Sequence, residues 1–193
     1  MKTLRFVREI KDSKLLSLGI GGEESVTFTV TLSALSDAGA PSLGDELDEG
    51  QMQILRECDE YCRATKKALN ILSYADNNRR NLSAKLSRGG FSREVCQRVV
   101  SDMVSHGYID EKRQLERIIL VEANSKLRGP MKIIPALVAK GYSSSDVRDV
   151  MTSLVESGEI DFKANAKALL NKKLPHGEAE ERRQFLYKNG YKI

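Results

Sequence analysis

Gly90-Phe91-Ser92 followed by Gly107-Tyr108-Ile109-Asp110, then Gly141-Tyr142-Ser143 followed by Gly158-Glu159-Ile160-Asp161, is the part of this chain that decides its fold. The second pair repeats the first at a constant offset of 51, as 141 against 90 and 158 against 107 show. Apolar positions keep the same offset: Leu86 maps onto Leu137, Val99 onto Val150, Met103 onto Leu154 and Ile109 onto Ile160. An internal period of this length is the signature of stacked repeats. Such arrays present an extended surface suited to binding another macromolecule.

Between the glycines the signal is helical. Cys96, Val99, Val100, Met103 and Val104 are spaced 3, 1, 3, 1, and Val147, Val150, Met151, Leu154 and Val155 repeat those steps. That spacing paints one stripe on a helix. Asn78, Ser92, Asp110 and Asp161 are placed to cap helix starts, and Gly129-Pro130 opens another with proline where a missing N–H costs nothing. Pro135 falls inside that helix and is expected to kink or delay it. Gly90, Gly141 and Gly190 are expected to turn the chain at positive φ. The aromatic after each (Phe91, Tyr142, Tyr191) is expected to fill the seam between helices. A third copy starts at Arg182-Arg183-Gln184-Phe185-Leu186 and reaches Gly190-Tyr191, at an offset of 49 from Gly141.

The first fifty residues differ. Leu4-Arg5-Phe6-Val7-Arg8 and Val26-Thr27-Phe28-Thr29-Val30-Thr31-Leu32 alternate with period 2, and Lys14-Leu15-Leu16-Ser17-Leu18 is a weaker third strand. Gly19, Gly21 and Gly22 read as the turn before Val26, and Asp37–Gly50 as a loop or short helical turn. The expected architecture is mainly α: tandem three-helix repeats in an elongated array, preceded by a small antiparallel sheet of two or three strands. The expected divisions are a β-rich segment over 1–50, a long helix over 51–77, three-helix repeats over 78–126 and 127–175, and a truncated third repeat over 176–193.

At 193 residues, with 40% hydrophobic and 30% charged residues, the chain can bury a real core as one domain or two small ones. No apolar run is long enough to span a bilayer, and Met1-Lys2-Thr3-Leu4-Arg5 is not followed by the apolar stretch of a secretion signal. Three cysteines are an odd and sparse set, which fits a reducing cytoplasm. Charge is uneven. Residues 1–50 hold five Lys/Arg against nine Asp/Glu, whereas residues 63–98 hold nine basic groups against two acidic ones. A basic excess this local favours an anionic partner, nucleic acid first.

Signals for chemistry are weak. His106 and His176 are the only histidines and neither has metal-spaced partners. Cys58 and Cys62 lie one helical turn apart, but no further Cys or His completes a zinc set, so both read as core. Gly19-Ile20-Gly21-Gly22 lacks the Lys-Ser/Thr of a phosphate loop. Neither a nucleophile elbow nor a paired-carboxylate motif is present. The expectation is a protein that is not an enzyme and uses no metal or cofactor.

Leu86-Ser87-Arg88-Gly89-Gly90-Phe91-Ser92, Gly107-Tyr108-Ile109-Asp110-Glu111, Leu127-Arg128-Gly129-Pro130 and Leu137-Val138-Ala139-Lys140-Gly141-Tyr142 together resemble the RecX family of recombination regulators. The resemblance runs from about residue 64 to the end, and the β-rich start is similar to the extra N-terminal segment of longer members. It implies a cytoplasmic protein of tandem three-helix repeats that binds the RecA recombinase filament on single-stranded DNA. Such proteins modulate or inhibit strand exchange, ATP hydrolysis and the coprotease activity of the SOS response, and some members also bind DNA. A monomer is expected, with no membrane partner.

Candidate contacts follow from charge, not from a family motif. They are Arg79, Arg80, Lys85, Arg88, Arg93 and Arg98 in the first copy, Arg128, Lys132 and Lys140 in the second, and Arg182, Arg183, Lys188 and Lys192 in the third. Two other readings stay open. One is a helical DNA-binding regulator that reads a groove with Arg93, Gln97 and Arg98. The other is a protein-interaction scaffold with no nucleic-acid role.

Overall fold

The computed structural model describes residues 2–22 and 24–192. Met1 and Ile193, which bound the N-terminal segment and the third copy, lie outside the described residues, as does Glu23. Strand β1 (Lys2–Glu9) pairs antiparallel with β2 (Leu15–Gly21), which pairs antiparallel with β3 (Val26–Thr31). A fourth strand, β4 (Glu46–Leu47), lies on the other side of β1, giving the order β3-β2-β1-β4. The sheet thus has one strand more than the sequence suggested. β4 is only two residues long and carries no alternation to read. Its segment, Asp37–Gly50, was expected to be a loop or short helical turn; the helix before it, α1 (Leu32–Asp37), is capped by the Thr31 hydroxyl and starts at Leu32, which the alternation had placed in a strand.

Gly19 and Gly21 also depart from the turn expected of them, because both lie inside β2. They are strand residues for a packing reason. A Cβ on Gly19 would stand 2.1 Å from the Phe6 ring, and one on Gly21 would stand 2.3 Å from Arg5 Nε. Glycine lets these side chains from β1 lie over β2. The register shift in β1 between Leu4 and Phe6 accompanies this arrangement. Leu4, Leu18, Ile20 and Val30 point to one side and form a core with Met52 and Leu55 of α2 (Glu49–Tyr74).

Helix α2 also seals the edge of the sheet. Asp59 Oδ1 accepts the Thr29 N–H at 2.7 Å, and Cys58 Sγ accepts the Thr31 N–H at 3.4 Å. Two outward donors of edge strand β3 are thereby satisfied without another strand. Cys58 is therefore more than a packing residue. A hydrogen bond from Cys62, helped by Thr31, lowers its thiol to about 6.

The remaining helices are α3 (Arg79–Arg88), α4 (Arg93–Ser105), α5 (Glu111–Leu120), α6 (Pro130–Ala139), α7 (Ser144–Glu156), α8 (Phe162–Lys173) and α9 (Ala179–Lys188). A π-helical turn, Val121–Ser125, extends α5. The starts of α3, α4 and α5 recur 51 residues later as the starts of α6, α7 and α8, and α9 starts 49 after α6. Caps form where expected: Asn78, Ser92, Asp110 and Asp161 each accept a backbone N–H of the helix they open. Gly90, Gly141 and Gly190 have φ of 87°, 99° and 90°. Helix α6 runs through Pro135, so the proline does not delay it.

Packing groups these helices differently from the sequence period. One core joins Leu115 and Ile119 of α5, Ala123 of the π turn, Ile133 and Leu137 of α6, and Val147, Val150, Met151 and Leu154 of α7. The packed triplet is α5-α6-α7, one helix out of phase with 127–175. The same holds upstream. Fifty-one residues before Leu115 and Ile119 stand Ala64 and Ala68, both fully buried in α2. The second half of α2 thus takes the place of a third helix and packs on α4.

The chain forms two compact units. One contains the sheet, α1, α2, α3 from Leu82 onward and α4. The other contains residues 76–81 and everything from His106 onward. Within the second unit, successive copies meet end to end. Asn78 and Asn81 donate side-chain N–H groups to the Lys140 carbonyl at 2.9 and 3.2 Å. One copy later, the Gly129 N–H donates to the Asn189 carbonyl at 2.8 Å and the Met131 N–H to the Gly190 carbonyl at 3.0 Å. In both joints the N-terminal end of one first helix meets the C-terminal end of the next.

The glycines are constrained unequally by these joints. A Cβ on Gly90 would meet nothing within 4 Å, whereas one on Gly190 would stand 2.6 Å from both Lys132 N and Cβ. Gly90→Ala is therefore expected to cost about 1–2 kcal/mol, the penalty of a left-handed residue with a side chain. Gly190→Ala is expected to cost about 1–3 kcal/mol more, because the backbone of the joint must shift. Urea unfolding of the two variants measures the difference, and equal losses would show that the joint at Gly190 is not tight.

Candidate macromolecular interface

The thirteen candidate cations fall into three physical situations. Some are already paired. Arg79 Nε lies 3.6 Å from Glu111 Oε2, and its backbone N–H donates to Glu111 Oε1 at 2.7 Å. Arg128 Nη1 lies 2.5 Å from Glu122 Oε2, and Lys126 Nζ lies 2.6 Å from Glu122 Oε1. Glu122 is buried within the π turn. Burial pushes its carboxyl up, but the hydrogen bonds from Lys126 and Arg128 outweigh that and hold it below the ordinary carboxylate value. Arg128 is thus a structural cation that ties the 126–128 linker to the repeat.

Others are held by packing. The Arg98 guanidinium stacks over the Tyr61 ring at 4.3 Å, and Tyr61 donates its hydroxyl to Asp102 at 2.6 Å. Stacking leaves the cation exposed but fixes its direction. The side chain of Arg80 lies where a Cβ on Gly141 would touch it, and Lys132 Nζ donates to the Lys188 carbonyl at 3.4 Å. Arg182 is half-buried, with its Nε fully covered and without a hydrogen-bond partner among the described residues. It occupies the position of core residues Leu82 and Ile133, so it faces inward and not toward a ligand.

The rest are exposed, and several converge. In the first unit, Lys85 and Arg88 join Lys67, Ile71, Tyr74, Ala75 and Gly89 around a cleft of about 480 Å³. Arg93 is exposed at the start of α4. In the second unit, Arg183, Lys188 and Lys192 join Met131, Glu180, Gln184 and Tyr187 around a cleft of about 630 Å³. Lys140 is exposed at the end of α6, and only its carbonyl enters the joint. Both clefts pair cations with an exposed tyrosine: Tyr74 is 83% exposed and Tyr187 is 63% exposed. An exposed aromatic ring beside cations suits a flat or anionic partner.

Sequence reading missed Tyr74, Tyr187 and Lys67. Their signal was present as helical spacing, since Lys67, Ile71 and Tyr74 step by 4 and 3 along α2, and Arg183 and Tyr187 are one turn apart on α9. Tyr142 and Tyr191 do fill seams. Tyr142 donates its hydroxyl to Gln114 at 2.9 Å, and Tyr191 packs edge-on against Phe162 with centroids 6.5 Å apart. Among the described residues no three His, Cys, Asp or Glu side chains gather as metal ligands, and no helix is long and apolar enough to cross a membrane.

Fold and site together define a tandem helical-repeat protein with a small N-terminal sheet and surface clefts lined by cations and a tyrosine. No family model matches the chain. It is 26% identical over 145 residues to the regulatory protein RecX of Clostridioides difficile, covering 75% of this chain and 66% of that protein. It is 24% identical over 151 residues to the RecX of Clostridium tetani, covering 78% and 68% of the two chains. The RecX of Halorhodospira halophila is 27% identical over 130 residues, covering 64% and 78%. A crystal structure of regulatory protein RecX matches all of this chain and 95% of its own, with a TM-score of 0.74 at 22% identity. RecX from Lactobacillus salivarius matches 70% of this chain and 90% of its own, with a TM-score of 0.59 at 20% identity. The chain is thus similar in sequence to RecX regulatory proteins and shares the fold of their solved structures.

Glu122 gives the site a pH signature. Its folded-state value is lowered, so its contribution is present above the unfolded value and is lost as pH falls through the folded one. Glu122→Gln is expected to lower stability by about 1–3 kcal/mol at pH 7. The gap to the unaltered protein should close as pH falls below 4.5, the ordinary carboxylate value. Denaturant unfolding at pH 7 and pH 3 checks it, and a gap unchanged at pH 3 would show that the carboxylate does not anchor the linker.

Proposed function

We propose that this protein binds the RecA recombinase filament on single-stranded DNA and restrains its activities: strand exchange, ATP hydrolysis and the coprotease function of the SOS response. The observation that carries this reading is the repeated joint, which sets consecutive helical copies at a fixed relation within one unit. A filament repeats its own surface, so a partner built of copies can engage successive protomers and gain from linked contacts. The divisions at 78, 127 and 176 are proposed as the periods over which such contacts recur. The exposed cations Lys85, Arg88, Arg93, Lys140, Arg183, Lys188 and Lys192 are proposed as the contacts to the filament or its DNA. Arg79, Arg98, Arg128 and Arg182 are proposed to hold the repeats in shape.

Direct action on DNA is favoured by one observation, the pairing of Tyr74 and Tyr187 with cations, since bases stack on such rings without sequence preference. In this reading DNA contact supports filament binding and does not replace it. Protein present below the molar amount of RecA is expected to suppress hydrolysis of ATP by RecA on single-stranded DNA. Reversing Lys85, Arg88, Arg183 and Lys188 to Glu together is expected to raise the concentration for half suppression about tenfold or more. Absence of suppression by the unaltered protein at several-fold molar excess would sink the proposal.

A further inference from the structure

The two joints inside the chain leave two matching half-joints. In each complete joint, the N-terminal end of one first helix meets carbonyls at the C-terminal end of the next: Lys140 in one, Asn189 and Gly190 in the other. The counterparts of Asn189 and Gly190 in the first copy are Gly89 and Gly90, at the end of α3. A Cβ on Gly90 would meet nothing within 4 Å, although those on Gly141 and Gly190 would touch the preceding helix. The cleft lined by Lys67, Tyr74, Lys85, Arg88 and Gly89 opens at that position. At the other end of the series, the counterparts of Gly129, Met131 and Lys132 are Glu178, Glu180 and Glu181, at the start of α9.

The two half-joints carry opposite charge. Glu178, Glu180 and Glu181 are all exposed at the start of α9, and Lys67, Lys85, Arg88 and Arg93 are exposed around the end of α3. The glutamates at the start of α9, and Lys85 and Arg88 in the last turn of α3, each sit where the helix dipole favours their sign. We propose that the chain associates head to tail with further copies of itself, the start of α9 in one molecule docking on the end of α3 in the next. The N–H groups of Glu178 and Glu180 donate to the carbonyls of Gly89 and Gly90, as Gly129 and Met131 do to Asn189 and Gly190. The Glu180 and Glu181 carboxylates then face Lys85 and Arg88. A second copy would answer the carbonyls of this end as well as its cations, so self-association competes there with the proposed filament contact. A phosphate would answer the cations but brings no donor for helix-terminal carbonyls.

The contact is heterologous, so each added copy presents a fresh half-joint and copies join in series. It is also small, which places it among weak interfaces. The test is sedimentation velocity of the full chain from about 10 µM to about 500 µM, a range suited to interfaces of this size. The weight-average sedimentation coefficient is expected to rise continuously, and the rise should vanish near 1 M NaCl, where the Debye length is about 3 Å. The variant Glu180→Lys/Glu181→Lys and the variant Lys85→Glu/Arg88→Glu should each stay monomeric. Mixing the two should restore association, since each presents the charge that the other lacks, and that rescue separates a lost contact from a lost fold. A coefficient independent of concentration for the unaltered protein would overturn the proposal. So would failure of the mixed variants to associate while the unaltered protein does, which would mean that the contact lies elsewhere.

Discussion

The end-to-end joint between successive first helices is the constraint on which the repeat architecture depends. A helix C-terminus leaves carbonyls without intrahelical partners, and a helix N-terminus leaves N–H groups. Here the two needs answer each other. Asn78 and Asn81 serve the Lys140 carbonyl, and the Gly129 and Met131 N–H groups serve Asn189 and Gly190. The approach is close enough that only glycine fits at 190, which also needs a φ of 90° there. One residue type thus meets a steric demand and a conformational one. The aromatic that follows closes the seam, as Tyr191 does against Phe162.

Helix α2 extends the same logic into the part of the chain that does not repeat. Its first half supplies Met52 and Leu55 to the sheet, and its second half supplies Ala64 and Ala68 where α5 supplies Leu115 and Ile119. Small residues replace large ones at these positions. The side chains of Cys58 and Asp59 between the two halves finish the edge of β3. The helix covers the apolar face of the sheet and closes its β3 edge.

Most of the fold was legible in the sequence because the repeat writes each helix twice. The stripe from Cys96 to Val104 and its copy from Val147 to Val155 fixed two helices at once. The caps at Asn78, Asp110 and Asp161 fixed where others begin. What escaped was non-local. Gly19 and Gly21 read as turn residues because their true reason, the Phe6 ring and Arg5 side chain lying over them, belongs to another strand. The phase of the packed triplet escaped because Ala64 and Ala68 do not look like Leu115 and Ile119. At the candidate interface, charge found the exposed cations of both clefts except Lys67. It could not tell Arg128, neutralised by Glu122, or Arg182, turned into a core position, from Arg183 beside it. The tyrosines were overlooked because exposure, not residue type, sets them apart.

The basic groups thus differ in surroundings. Some face carboxylates or aromatic rings, and the exposed ones around Tyr74 and Tyr187 are those proposed as partner contacts. Similarity to RecX proteins and this distribution together support the proposed partner, one that is itself periodic and anionic. The most direct measurement is co-sedimentation of the protein with RecA filaments on single-stranded DNA, beside RecA alone and DNA alone at the same salt. Retention on the filament well above either component alone is the expected result. Equal retention on bare DNA, or none on the filament, would contradict recognition of the filament.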